Sequence, residues 1–173
     1  AGNSSAASQV SIADLNAITG LDNEILANLT AYQAAIVEVV NKVDLNDVAK
    51  IQTLIDSVNT TEANNAASTA AITKVSEAAT NGNEANVSIA DLNAIIGLTN
   101  QDAANLAAYQ TAIAAVTDKA DLNDVAKIQA LINTVNTTEA NNAASAAAVN
   151  KVSEAAGNSS AASQVSIADL NAI

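Results

Sequence analysis

The chain has 173 residues of only thirteen types, with no Cys, His, Arg, Met, Trp, Phe or Pro, and its net charge is −12. The missing side chains exclude zinc fingers, thiol or histidine catalysts and bidentate phosphate clamps. We therefore expect no enzyme and no catalytic, metal or cofactor site. Six Lys against 18 acidic residues predict no binding to nucleic acid. Without an apolar run of roughly 18 residues, no membrane insertion is expected.

The sequence repeats itself. The segment VSIADLNAI occurs at residues 10–18, 87–95 and 165–173, and residues 10–79 match 87–156 without a gap at 52 of 70 positions. Residues 1–18 are identical to 156–173, so the full period is 155 residues, and we expect a longer tandem array. The predicted organisation is a linker at 1–9, repeat 1 at 10–79, a linker at 80–86, repeat 2 at 87–156, a linker at 157–164 and the start of repeat 3 at 165–173.

Two helices are predicted in the first half of a repeat. Helix A covers residues 12–18, with a capping box at Ser11 and Asp14 and a stop at Gly20. Helix B covers about 23–42, because apolar residues recur there at intervals of three and four. Its Tyr32, like Tyr109 in repeat 2, is expected to be a core residue whose hydroxyl reaches the edge of the bundle.

The second half predicts two more helices. Helix C begins after Asp44, whose carboxylate is expected to cap it, and helix D covers about 60–79. Helix D could continue helix C, since no Gly or Pro separates them, or Asn59 with Glu62 could cap a new helix. We expect a break, because Asn-Thr-Thr is poor helix material. Lys50 follows Asp47 by three residues and Lys74 precedes Glu77 by three, spacings typical of helical ion pairs.

These elements predict an all-α fold of about four helices per 77-residue repeat. A repeat has few large side chains, so neighbouring repeats are expected to share their burial. The predicted architecture is a rod or solenoid of stacked helices, or a filament of them. The expected partners are neighbouring repeats or identical subunits.

The differences between the two repeats suggest an interface. Repeat 1 carries a second apolar stripe along helix B. At the corresponding five positions repeat 2 has smaller or polar residues: Asp102, Ala103, Ala114, Thr117 and Ala120. A helix that is apolar further round its surface is buried further round. The candidate assembly or partner interface consists of Ile25, Leu26, Val37, Val40 and Val43.

The pattern ADLNAI-x-GL, AYQ-x-AI and DL-x-x-VA-x-IQ-x-LI-x-x-VN resembles the helical tandem repeats of very large bacterial surface and secreted proteins, many of them adhesin-like. The resemblance implies a structural protein outside the cell or on its surface, forming a stalk, fibre or filament. The alternative is a three-helix type of binding module that recognises a surface partner protein through the stripe of helix B.

Overall fold

The computed structural model describes residues 4–156, 158, 160 and 164–173, and it divides the chain into two compact units, Ala1–Ala67 (unit 1) and Ser68–Ile173 (unit 2). The predicted all-α class is confirmed, since the described residues form helices and no strand. None of their helices has the length and apolar character to cross a membrane. The α-helices are α1 (Ser4–Ala7), α2 (Ile12–Asn16), α3 (Leu29–Glu38), α4 (Val48–Asn81), α5 (Ile89–Ala94), α6 (Leu106–Ala114), α7 (Val125–Ala155) and α8 (Ile167–Asn171).

The short helices α2, α5 and α8 begin in the same way. The Ser11 hydroxyl accepts the Asp14 amide, and the Asp14 carboxylate accepts the Ser11 amide at 2.8 Å, so the predicted capping box is confirmed. The same box recurs at the starts of α5 and α8. Helix A ends at Asn16, two residues earlier than predicted. In the turn that follows, Gly20 has φ +86°, a conformation that glycine adopts without strain.

Helix B is shorter than predicted. The α-helix α3 covers Leu29–Glu38, a 3-10 helix covers Leu26–Asn28 before it, and a second one covers Lys42–Leu45 after it. Of the candidate interface residues only Val37 lies on α3, so the prediction of one stripe along one helix is wrong. The β-branched Val39 and Val40 favour extended backbone, and the Asn41 side chain accepts the Val43 amide of the second 3-10 turn.

The predicted break between helices C and D is also wrong, because α4 runs through it as one helix of 34 residues. The Thr60 and Thr61 hydroxyls donate to carbonyls one turn back, at 2.8 and 2.9 Å, so they are satisfied inside the helix. Asp44 does not cap this helix, since it lies within the 3-10 helix Lys42–Leu45. Asp47 takes that role, accepting the Lys50 amide at 3.0 Å.

Each unit has its own core. In unit 1, Leu15, Leu21, Tyr32 and Ile55 are buried. The core of unit 2 is larger and includes Ala71, Val75, Ala78 and Ala79 from the C-terminal part of α4. Residues 68–79, which belong by sequence to repeat 1, therefore pack with the residues of repeat 2. The boundary between compact units thus differs from the boundary between sequence copies.

Candidate assembly interface

A buried tyrosine fixes the loop before α3 in unit 1. Tyr32 is fully buried, as expected of a core residue, and its hydroxyl accepts the Ile25 amide at 3.0 Å and donates to Asn59 Oδ1. The Asn59 side chain also donates to the Asn23 carbonyl at 2.8 Å and accepts Asn28 Nδ2 at 2.8 Å. These bonds tie the loop to α4, and they give Asn59 a partner far away in the sequence in place of the predicted capping role.

Unit 2 contains the same network. Tyr109 accepts the Asp102 amide at 3.0 Å and donates to Asn136, which in turn donates to the Asn100 carbonyl at 2.8 Å. Asn100 has φ +63° and its counterpart Asn23 has φ +66°, which places both in the left-handed region that Asn tolerates better than most residues. The two units therefore build the same local scaffold from matching residues.

Lysines of the long helices pair with the capping boxes that follow them in the chain. Lys74 of α4 donates to Asp91 at 2.6 Å, and Lys151 of α7 donates to Asp169 at 2.7 Å. The predicted ion pair of Lys50 with Asp47 is confirmed at 3.5 Å, whereas Lys74 reaches Asp91 and not Glu77. Each long helix is thus joined to the first helix of the next sequence copy.

The capping aspartates have lowered pKa values. Burial alone would raise the pKa of Asp91, but the hydrogen bonds from Lys74 and Ser88 outweigh it. The bonds from Lys151 and Ser166 lower the pKa of Asp169. Bonds from Ser11 lower the pKa of Asp14, which has no lysine partner among the side chains that the structure describes.

In unit 2, the C-terminal part of α4 fills a groove. Val75 is fully buried there, with Ala71 and Ala78 also in the core. Two serines of the same segment make polar contacts, since the Ser68 hydroxyl accepts the Ile96 amide and the Ser76 hydroxyl donates to the Lys119 carbonyl, both at 2.9 Å. The segment is therefore anchored at both ends as well as buried.

The corresponding groove in unit 1 is open. It has a volume of about 290 Å³, and apart from Asp14 its lining is aliphatic, with residues from the start of α2 to Ile55 of α4. Leu54 is partly buried, as is its counterpart Leu131, and five further lining residues are only partly buried in unit 1: Val10, Ile18, Ile36, Leu45 and Ile51. Their counterparts in unit 2 are at most 2% exposed: Val87, Ile95, Ile113, Leu122 and Ile128. The described residues of unit 1 contain no helix equivalent to residues 68–81.

The structure leaves most of the predicted interface residues exposed. Ile25 and Leu26 precede α3 and are 46% and 67% exposed, whereas Val40 and Val43 follow it and are 99% and 51% exposed. Val37 is half-buried on α3. The two pairs lie at opposite ends of α3, a helix about 15 Å long.

Sequence reasoning missed the open groove, although six of its nine lining residues are apolar residues at helical spacing in predicted helices A, B and C: Leu15, Ile18, Ile36, Leu45, Ile51 and Ile55. The available signal was the identity of these residues in the two copies, but nothing in the sequence says which helix covers them. No group of three or more acidic side chains in the described part of the chain is placed to hold a metal ion. Comparison with protein-family models, with curated proteins and with solved structures found no match.

Proposed function

We propose that this chain is a structural protein of tandem helical repeats that forms a stalk, fibre or filament outside a bacterial cell or on its surface. It is part of a longer, adhesin-like array and has no catalytic activity. Its partners are neighbouring repeats or identical subunits, stacked as a rod or solenoid. One observation carries the proposal: residues 68–79 of the first sequence copy complete the core that contains the second copy.

That observation supports an array because a copy is incomplete without its neighbour. The segment 68–81 contributes buried side chains, serine anchors and the Lys74 ion pair to the next copy. Repeat proteins of this kind gain stability from nearest-neighbour interfaces and extend in one direction. The acidic surface and the absence of oxidisable Cys and Met also suit an extracellular material.

The stacked array is tested by measuring how particle length depends on chain length. Chains extended by one, two and three further 155-residue periods are compared by negative-stain electron microscopy. The maximum particle length is expected to grow by an equal step with each period. Particles that grow in all directions, or separate into unconnected beads, would contradict the stacked array. Antibodies against this chain should label intact cells of the source organism, and labelling only after permeabilisation would refute the extracellular location.

A second candidate is a module that binds a surface partner protein, favoured by the exposure of Leu26 and Val40. Residue 26 has a matched control, because its counterpart Ala103 is also exposed. For a captured partner, this function predicts that Leu26→Asp abolishes binding and that Ala103→Asp does not. Equal binding by both variants would exclude this surface.

A further inference from the structure

We propose that the open groove of unit 1 binds residues 145–155 of α7 from a second copy of this chain. In the complex, Lys151 of one copy pairs with Asp14 of the other. This inference rests on the proposed function, because it assigns the contact between neighbouring repeats when they belong to separate, identical subunits and not to one continuous chain. The contact is heterologous, because the groove of one copy receives the helix of another, and such contacts extend in one direction unless the rotation between copies closes a ring.

The first argument is that the groove itself is duplicated. The nine residues that line it in unit 1 are identical in type to their nine counterparts in unit 2. In unit 2 the eight aliphatic counterparts belong to, or pack against, the core that contains Val75, and the ninth, Asp91, pairs with Lys74. Since the two grooves have the same lining, a segment similar in sequence to residues 68–79, which fill the groove of unit 2, is expected to fit the groove of unit 1.

The second argument is the sequence of the occupant. Residues 145–156 match 68–79 at 9 of 12 positions. Val152, Ser145 and Ser153 stand where Val75, Ser68 and Ser76 stand in α4. The segment therefore carries the buried valine and both serine anchors.

The third argument is a paired change in side-chain size. In unit 2, Ile72 and Ala120 line the same crevice. Their counterparts in the proposed complex are Val149 from α7 and Val43 from unit 1. On the helix, Val149 is smaller than Ile72, and on the groove side, Val43 is larger than Ala120. The two changes offset each other, so the total apolar volume stays nearly constant. The exposure of Val43, unexplained in one chain, is removed by this contact.

The fourth argument is that the occupant is only weakly covered within its own chain. Val149 is 45% exposed, and Ile167, Leu170 and Ile173 beside α8 are all more than half exposed. Residues 165–173 have the same sequence as residues 10–18 of the groove. In the complex, α2 of a second copy takes the place of α8 beside α7, so Lys151 exchanges its partner Asp169 for the equivalent Asp14. It also brings the remaining wall of the groove, including Ile36 and Ile51, against the helix.

The test is the association of the full chain by sedimentation velocity over a range of concentrations. We expect the wild-type chain to form a concentration-dependent series of oligomers. Val149→Asp blocks the helix and Val10→Asp blocks the groove, and each is expected to weaken association at least tenfold. Both positions are partly exposed, so the monomer should keep its circular dichroism spectrum. Val40→Asp is the matched control outside the groove and should associate like the wild type.

Mixing the two blocked variants makes the test independent of folding defects. Val149→Asp retains a working groove and Val10→Asp retains a working helix. An equimolar mixture is therefore expected to form a one-to-one dimer that does not extend. A monomeric wild type, a mixture that stays monomeric, or loss of association in Val40→Asp would each overturn the proposal.

A zero-length carbodiimide crosslink identifies the contact and separates this proposal from the array. We expect a Lys151–Asp14 crosslink between isotopically light and heavy chains, with the Lys74–Asp91 crosslink within each chain as internal control. If the interchain crosslink is absent while covalently extended chains still lengthen by equal steps, docking between separate copies is wrong and the structural function stands. If the extended chains do not lengthen, the proposed function fails.

Discussion

Replacement of Val75 by Ala tests whether the C-terminal part of α4 is a true part of the core of unit 2. Val75 is fully buried. Removing two buried carbons costs about 2–3 kcal/mol, including the cavity left behind. The higher helix propensity of Ala returns about 0.5 kcal/mol. We therefore expect a net loss of about 2 kcal/mol in the free energy of unfolding of unit 2, measured by urea titration with far-UV circular dichroism.

The matched control is Val152→Ala, at the same position of the second sequence copy. Val152 is only partly buried. The propensity gain is the same at both positions and cancels in the comparison. The control should lose less than about 1 kcal/mol at concentrations where the chain is monomeric. Equal losses at the two positions would refute the argument that residues 68–81 fill a groove that stays open elsewhere.

Three further predictions concern α4, the tyrosine network and the capping boxes. Thr60→Pro should lower the free energy of unfolding by about 3 kcal/mol in urea titration, because Pro is excluded from a helix interior. Pro is favoured in the first turn of a helix, so an unchanged stability would mean that a new helix begins at residue 60, as the sequence predicted. Tyr109→Phe leaves the partly buried Asp102 amide and Asn136 without a hydroxyl partner and should lower the free energy of unfolding by about 1–3 kcal/mol, measured by thermal unfolding; a fully stable variant would mean that water replaces the hydroxyl. The pKa of Asp91 is lowered in the folded state, so its contribution to stability is present above the unfolded pKa of about 3.9 and is lost as the pH falls below it. Asp91→Asn should therefore weaken the acid dependence of stability, and an unchanged pH profile would assign that dependence to other carboxylates.

Local signals were sufficient for the starts of α2, α5 and α8, but not for α1, which lies in the predicted linker, nor for the end of helix A. The capping box needs only Ser11 and Asp14, three residues apart, and the following turn needs only Gly20. The ion pair of Lys50 and Asp47 likewise lies within one helical turn. Such interactions are complete within a few residues, so the pattern of the sequence predicts them without knowledge of the rest of the fold.

The long helix shows where local reasoning fails. Asn59 is a good capping residue, and Thr60 and Thr61 are poor helix formers, which predicted an end to the helix there. In the structure Asn59 binds Tyr32, which is 27 residues away, and α4 continues. A capping side chain that finds a better partner in another element no longer ends its helix, so tertiary contacts override the local preference.

The amino-acid sequence alone establishes the helical class, the matching copies, the capping boxes and the absence of cysteine, histidine and arginine chemistry, because composition and short-range spacing carry that information. Only the tertiary structure decides with which sequence copy the C-terminal part of α4 packs. Ala71 and Val75 are apolar wherever they pack, and their burial with Leu92 and Tyr109 depends on how α4 meets residues further along the chain. The open groove of unit 1, where Asp14 has no lysine partner among the described side chains, follows from that arrangement, since identical side chains are buried only where a helix covers them.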